Sequence, residues 1–125
     1  MNRLGIATLA LALLAACSRN ETDVPDPTPQ TVCTMEARSA LAVTVVDDAT
    51  GARVQGATVR VTNGSYAENL VGFEGVYSGA HERPGTYTIV VSHPDYRQWQ
   101  RAGVVVERDE CHVVTEAVEA RLVRR

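Results

Sequence analysis

The chain has 125 residues and a formal net charge of −3 at pH 7. This length is enough for one small domain, and the mildly acidic balance argues against a nucleic-acid partner, because nucleic-acid binding depends on clustered positive charge. All 12 basic residues are arginine, which excludes chemistry that needs a lysine, such as a Schiff base or a P-loop lysine on a phosphate.

The N-terminal segment is apolar from Leu4 to Ala16 and follows the positive charge of Arg3. It is shorter than the roughly 20 residues that a membrane-spanning helix needs, and its length suits the apolar region of a signal peptide. The segment ends in Leu-Ala-Ala, and Cys17 and Ser18 come next. This arrangement resembles the lipobox of bacterial lipoproteins, in which the cysteine is acylated and becomes the first residue of the mature protein.

The resemblance implies a lipoprotein signal peptide at residues 1–16, lipidation of Cys17 and lasting attachment to a membrane, because lipoproteins carry two or three acyl chains and a single chain binds only marginally. In such lipoproteins a serine after the cysteine, here Ser18, goes with the outer membrane. The expected location is therefore the bacterial cell envelope, lipid-anchored at its outer membrane. An ordinary cleaved signal peptide is the alternative, since small residues precede both kinds of cleavage site.

Residues 17–32 are polar and contain Pro25, Pro27 and Pro29. A proline-rich segment of this kind stays extended and cannot bury a core. We therefore interpret residues 17–32 as a tether between the membrane and a domain that spans residues 33–125.

The three cysteines are an odd number for an exported protein. If Cys17 is acylated, Cys33 and Cys111 remain, and an oxidising compartment favours a disulfide between them. The chain-entropy model assigns such a bridge, closing a loop of about 79 residues, a stabilisation of about 4.5 kcal/mol. Two free thiols are the alternative.

From Cys33 onward the sequence has the period of two that is typical of β-strands. The predicted inward positions are Leu41, Val43 and Val45, then Ala57, Val59 and Val61, then Tyr87, Ile89 and Val91. Val104 to Val106 forms a short apolar run, and Cys111 to Val123 is predicted to be a long final strand. In that strand Val114 agrees in register with Val118 but Val113 does not, so we expect a bulge.

Turn residues separate these segments at Asp47 to Gly51, Asn63-Gly64, Gly72 to Gly75, Pro84-Gly85 and His93 to Asp95. The stretch from Asp47 to Ala57 reads Asp-x-x-Thr-Gly-x-x-Val-x-Gly-Ala. With the later Pro-Gly-Thr-Tyr-Thr-Ile and Pro-Asp-Tyr segments, it resembles the carboxypeptidase regulatory-like domain, and the resemblance covers about residues 38–122. It implies an all-β, seven-stranded Greek-key β-sandwich of transthyretin-like type.

The disulfide agrees with this fold. In an up-and-down run of seven strands, the first and the last strand begin at the same end. Cys33 precedes the first predicted strand and Cys111 starts the last, so the two residues can meet.

Catalytic motifs are missing from the sequence. His81-Glu82 opens like a zinc-peptidase helix motif, but Gly85 stands where the second histidine is needed. The chain has no Gly-x-Ser-x-Gly elbow and no glycine-rich phosphate loop. A triad assembled from residues distant in sequence is beyond the reach of a motif search. We expect no enzyme activity and no cofactor.

Two groups of residues suggest binding. Acidic residues are predicted to gather at the two ends of the sandwich and allow a weak calcium site, although turn formation is the commoner role of such residues; they are Asp47, Asp48 and Asp95 at one end and Glu107, Asp109 and Glu110 at the other. Tyr96 and Trp99 lie near Arg97 and Arg101 and form a possible binding surface. The alternative for Trp99 is packing in the core.

These features favour a membrane-anchored envelope lipoprotein that serves as a non-catalytic structural or protein-interaction module. Its expected partners are the membrane, through the lipid, and an envelope protein or glycan. A carbohydrate-binding accessory module that uses Tyr96 and Trp99 is the first alternative. A small hydrolase of transthyretin type is the second.

Overall fold

Strands make up all the regular secondary structure of residues 29–125, the part of the chain that the computed structural model describes. Within this range there is no helix, because apolar residues recur at every second position and not at helical spacing. The strands, in chain order, are β1 (Leu41–Asp47), β2 (Thr58–Asn63), β3 (Tyr66–Asn69), β4 (Val71–Phe73), β5 (Val76–Gly79), β6 (Gly85–His93), β7 (Tyr96–Val106) and β8 (Glu116–Leu122).

The strands form two four-stranded sheets, with the orders β4-β5-β1-β8 and β3-β2-β6-β7. Only the β1–β8 pair is parallel among the pairs of the described residues. The chain crosses between the sheets after β1, β3, β5 and β7. The predicted β-sandwich is therefore confirmed, with eight strands where the sequence suggests seven.

One hydrophobic core lies between the sheets and follows the predicted alternation. Leu41, Val43, Val45, Ile89 and Val91 are each 0% exposed, and residues of both sheets belong to the same cluster. Burying a side chain of this size stabilises the fold by about 1.5–3 kcal/mol relative to leaving it exposed. The period of two in the sequence thus decides which face of each sheet becomes the core.

The extra strand comes from the segment that we predicted to be a turn at Gly72 to Gly75. Gly72 lies within β4, and the turn consists of Glu74 and Gly75 alone, with φ of 49° and 80°. Two consecutive residues with positive φ make the type I′ turn that joins tightly paired strands. The residues on either side of it can therefore form a hairpin.

The last two strands also differ from the prediction. Val104 to Val106 is the end of the long strand β7, and β8 begins at Glu116 and not at Cys111. Val113 is buried beside the β-bridge to Arg108, whereas Val114 is 52% exposed. The expected bulge in the final strand was therefore wrong; the register shifts lie between β6 and β7.

The lipidation residue Cys17, the predicted signal peptide and residues 17–28 of the predicted tether lie outside the described residues. Residues 29–32 of the tether are exposed and belong to no strand. Between residues 29 and 125 there is no helix long and apolar enough to cross a membrane.

Candidate functional site

A disulfide joins Cys33 to Cys111, with the two Cα atoms 5.1 Å apart. The predicted pairing is confirmed. Cys33 precedes β1, and Cys111 lies in the connection between β7 and β8. Because β1 and β8 are parallel neighbours, the chain enters both strands at the same end of the sandwich, and this brings the cysteines together.

A chain of side-chain hydrogen bonds begins at the residues that follow the two cysteines. The Thr34 hydroxyl lies 3.0 Å from His112 Nε2, and His112 Nδ1 lies 2.7 Å from Glu82 Oε1. A neutral imidazole that donates from Nδ1 to the carboxylate accepts from the Thr34 hydroxyl at Nε2. We call Thr34, His112 and Glu82 the polar chain.

Glu82 fastens three parts of the fold. Its Oε1 accepts the backbone N–H of Arg38 at 2.8 Å, and its Oε2 accepts that of Val113 at 3.2 Å. The Arg38 N–H is the main reason that the pKa of Glu82 is lowered, and the hydrogen bond from His112 lowers it further against the effect of burial. The carboxylate is therefore ionised and holds the segment before β1 against the segment before β8.

The polar chain opens on a surface cavity of about 410 Å³, whose lining includes Thr34, Arg38, Asp109 and His112. His112 is 7% exposed, while Thr34 is exposed. The order hydroxyl, imidazole, carboxylate is the one in which a base activates a nucleophile and a third group orients the base. The same order also serves as a clamp, since each bond joins segments distant in sequence.

A motif search does not find the polar chain, because its members are separated by 78 and 30 residues. One signal was nevertheless available. Thr34 and His112 each follow a cysteine of the predicted disulfide, so pairing Cys33 with Cys111 also places these two side chains together. No comparable signal exists for Glu82.

At another position Asp47, the last residue of β1, is buried and 2% exposed. Its Oδ1 accepts the N–H groups of Ala49 and Thr50 in the following turn, and its Oδ2 accepts from the Tyr96 hydroxyl and from Arg124 Nε, both at 2.8 Å. These bonds, that from Tyr96 above all, lower the pKa of Asp47 to about 2 against the effect of burial. Asp47 thus ties β1 to β7 and to the residues after β8.

Of the two aromatic residues predicted to form a binding surface, Tyr96 is buried and Trp99 is half-buried. Tyr96 is 5% exposed, and its hydroxyl is bound to Asp47. Trp99 is half-buried and packs against the core, with the Arg101 guanidinium 5.1 Å from the centre of its ring. A register shift between Val91 and His93 places both aromatic residues on the inward face of β7.

Three of the six acidic residues considered for calcium, Asp47, Asp48 and Asp109, are engaged with other partners. Asp48 is paired with Arg121, and Asp109 Oδ1 accepts the N–H groups of Cys111 and His112. Within residues 29–125 no group of three or more histidine, cysteine or acidic side chains is arranged to hold a metal ion. Asp47 and Asp109 accept nearby backbone N–H groups, as turn residues do.

The model of the carboxypeptidase regulatory-like domain matches residues 40–119. The chain belongs to this family. A search of curated proteins finds no match. The carboxypeptidase regulatory-like domain is a regulatory, non-catalytic family. The match extends from the residue before β1 into β8 and includes Glu82 and His112, whereas Thr34 precedes it.

The carboxypeptidase regulatory-like domain of this chain also exposes two large apolar side chains on one short strand. Val71 and Phe73 of β4 are 79% and 77% exposed. They border a surface cavity of about 460 Å³ on the β4–β5 hairpin. Sequence reasoning missed them because Gly72 to Gly75 was interpreted as a turn.

Proposed function

We propose that this protein is a lipid-anchored component of the bacterial cell envelope and that its β-sandwich acts as a non-catalytic structural or protein-interaction module. In this proposal Cys17 carries the lipid and residues 17–32 hold the domain away from the outer membrane. The partner is a protein or a glycan of the envelope.

The position of Cys17 carries the proposal. It stands directly after Leu-Ala-Ala at the end of an apolar segment that follows Arg3. An apolar segment of this length is typical of a signal peptide. The two remaining cysteines are joined to each other, which suits an oxidising compartment outside the cytoplasm.

The non-catalytic part of the proposal is supported by family membership and by the roles of the buried polar groups. Asp47 holds a turn, Tyr96 and Arg124, and Glu82 holds the N–H groups of Arg38 and Val113. Among the described residues no buried side-chain nitrogen or oxygen lacks a hydrogen-bond partner. Groups bound in this way maintain the fold of a module.

Lipidation is tested by producing the full chain in a bacterium and measuring the mass of the peptide that contains Cys17. We expect an N-terminal cysteine with attached acyl chains and a protein that sediments with the membrane, because buried acyl chains each contribute about 0.8 kcal/mol per methylene. The C17A variant should lose the acyl mass and leave the membrane fraction. The neighbouring S18A variant is the matched control and should keep both. A wild-type chain whose Cys17 thiol is unmodified would contradict the anchor.

Hydrolysis of an ester or amide is a second candidate function, and one observation favours it. Thr34, His112 and Glu82 are linked in the order of nucleophile, base and orienting acid, at 3.0 Å and 2.7 Å, beside an open cavity. In such a reaction the Thr34 oxygen attacks the acyl carbon and its proton passes to His112 Nε2. The leaving alcohol or amine takes that proton as its bond to the acyl carbon breaks, and water then releases the acyl group from Thr34 as the acid. We place this function second because the family is non-catalytic.

The two functions are separated by measuring the hydrolysis of activated esters by the full chain. A non-catalytic module should hydrolyse them no faster than the T34V variant does. A hydrolase should lose about 100-fold or more in rate on T34V, since acid–base and nucleophilic groups contribute factors of this order. S39A is the control, because Ser39 contacts a different histidine, His81, at 3.4 Å. A T34V-sensitive rate that S39A leaves unchanged would establish the second function.

A further inference from the structure

Among residues 29–125 the strand β4 has a neighbour on one side only and is an edge of its sheet, since the strand order is β4-β5-β1-β8. Free sheet edges in natural proteins are usually blocked by charged residues, bulges or proline. The other three edge strands carry charges: Glu68 in β3, Arg97 and Arg101 in β7, and Glu116, Glu119 and Arg121 in β8. The strand β4 reads Val-Gly-Phe and carries none.

The two faces of β4 are different. A Cβ atom on Gly72 would lie 2.2 Å from the Tyr77 ring, so Tyr77 fills the inward side of the strand. Side chains alternate between the faces of a strand, and Val71 and Phe73 therefore share the outward face. An exposed apolar pair beside an open backbone edge is suited to contact with another protein.

The turn after β4 determines which backbone groups face the open edge. In a hairpin with a two-residue type I′ turn the flanking residues, here Phe73 and Val76, exchange hydrogen bonds. Hydrogen-bonded and non-hydrogen-bonded pairs alternate along an antiparallel ladder. Val71, two residues before Phe73, therefore also exchanges hydrogen bonds with its partner on β5, Ser78. The N–H and C=O of Gly72 consequently point away from β5, toward the open edge.

Charged residues stand at both ends of the hairpin, with Arg53 and Glu74 at the turn and Glu68 at the far end of β5. A Cβ on Gly75 would lie 2.8 Å from Arg53, and a Cβ on Gly79 would lie 2.9 Å from Glu68. Arg53 and Glu68 thus stand at opposite ends of β5, and both line the cavity of about 460 Å³. In a second molecule related by a two-fold axis, the hairpin runs in the opposite direction. Arg53 of each molecule then lies toward the end of the hairpin where Glu68 of the other molecule stands.

From these observations we propose that β4 is the contact surface of a homodimer, in which the β4 strands of two molecules pair antiparallel about a two-fold axis at Gly72. The pair extends each four-stranded sheet into one continuous sheet. Val71 of one molecule lies opposite Phe73 of the other, and Gly72 bonds to its own symmetry copy. This proposal rests on the proposed function of an interaction module and names a second copy of the chain as its partner.

Cysteine trapping tests the pairing in the full chain in cells. Val71 and Phe73 are opposite each other in a pair without mutual hydrogen bonds, where side chains approach most closely. Co-expressed V71C and F73C chains should form a mixed disulfide dimer several-fold more efficiently than either variant alone. A pair of V71C and V105C is the matched control, because Val105 is exposed on the other sheet. Equal trapping in the control pair, or no mixed dimer, would overturn the proposal.

Sedimentation of the detergent-solubilised full chain is the second measurement. We expect a dimer for the wild type and for V105E, and a monomer for F73E at the same concentration. A monomeric wild type, or a dimer that F73E leaves unchanged, rejects this surface. Measuring the mass of the Cys17 peptide in the same preparation distinguishes failure of the homodimer proposal from failure of the lipid-anchor proposal. Acylated Cys17 without a dimer removes the homodimer alone, and a dimer with unmodified Cys17 removes the anchor alone.

Discussion

At the scale of single residues, Asp47 is a turn residue whose carboxylate also connects distant parts of the chain. In the sequence it opens a turn motif and offers an oxygen for calcium. In the structure both carboxylate oxygens are committed, one to the turn and one to Tyr96 and Arg124. Buried carboxylates are tolerated when they are paired and hydrogen-bonded in this way.

The pH dependence of stability tests the role of Asp47. Its pKa is about 2 in the folded protein against 3.8 for the free side chain. Because the folded-state pKa is lowered, Asp47 stabilises the fold above about pH 4, and this contribution disappears as the pH falls to about 2. We expect D47N to have a lower melting temperature than the wild type at pH 7, and the difference to shrink between pH 4 and pH 2.

Controls identify the groups responsible. Y96F removes the largest cause of the lowered pKa of Asp47 and should shift the loss of stability toward higher pH. D48N should have little effect, because the Asp48 side chain is 53% exposed in its pair with Arg121. A difference between D47N and the wild type that stays constant from pH 7 to pH 2 would refute this role. Glu82 and Asp109 also have lowered pKa values, which is why the comparison is made between variants.

At the scale of elements, the β4–β5 hairpin requires a glycine at position 72, because the Tyr77 ring packs against its backbone. Gly72 is opposite Tyr77 in the register, and the Tyr77 ring occupies the place of a Cβ on Gly72. Tyr77 is 6% exposed, and its hydroxyl accepts the N–H of Ala57 at 3.0 Å. The ring is therefore held from two sides and cannot move aside without losing contacts.

We expect G72A to lower the free energy of unfolding by about 1–3 kcal/mol, the usual range for forcing an extra carbon into a packed site. The V105A variant is the control and should change it by less than about 0.5 kcal/mol, because Val105 is 54% exposed and lies on the other sheet, outside the proposed dimer contact. Denaturant unfolding provides the measurement. Equal midpoints for the two variants would show that Tyr77 does not need the space at Gly72.

At the scale of the whole molecule, the disulfide and the polar chain fasten the sandwich at the end where β1 and β8 begin. Asp47, Arg124 and the backbone bond between Arg97 and Val123 fasten the residues around the ends of the same two strands. The chain segments outside the strands are thus tied to the sheets at both ends of the β1–β8 pair.

Removing the Cys33–Cys111 disulfide should destabilise the folded protein. For a separation of 78 residues, the chain-entropy model predicts a loss of about 4.5 kcal/mol in the free energy of unfolding for the C33A/C111A variant. The loss arises in the unfolded state, which gains freedom when the loop opens. Denaturant unfolding of the variant beside the oxidised wild type checks the value. A variant as stable as the wild type would contradict this contribution of the disulfide.

Local sequence was sufficient for the core and for most of the strands. Leu41, Val43, Val45, Ile89 and Val91 are inward because apolar residues alternate along extended segments. Alternation was insufficient where segments are short or irregular. The strand β4 has three residues and too few positions to display a period, and Val113 is buried outside any strand.

The candidate sites divide in the same way. Cys33 and Cys111 were paired from the sequence because a disulfide is a choice among few residues, whereas contacts among many polar residues are not. Asp47 meets Tyr96 across 49 residues, and His112 meets Glu82 across 30, because particular strands became neighbours.

By itself the sequence determined that this chain forms β-strands, which residues turn inward and which cysteines pair, since these depend on local periodicity and on a small set of thiols. The tertiary structure alone decided the partners of Asp47 and Glu82, the burial of Tyr96 and the open edge at Val71 and Phe73. These features depend on the order of the strands in the sheets, and that order is set by packing between segments far apart in the chain.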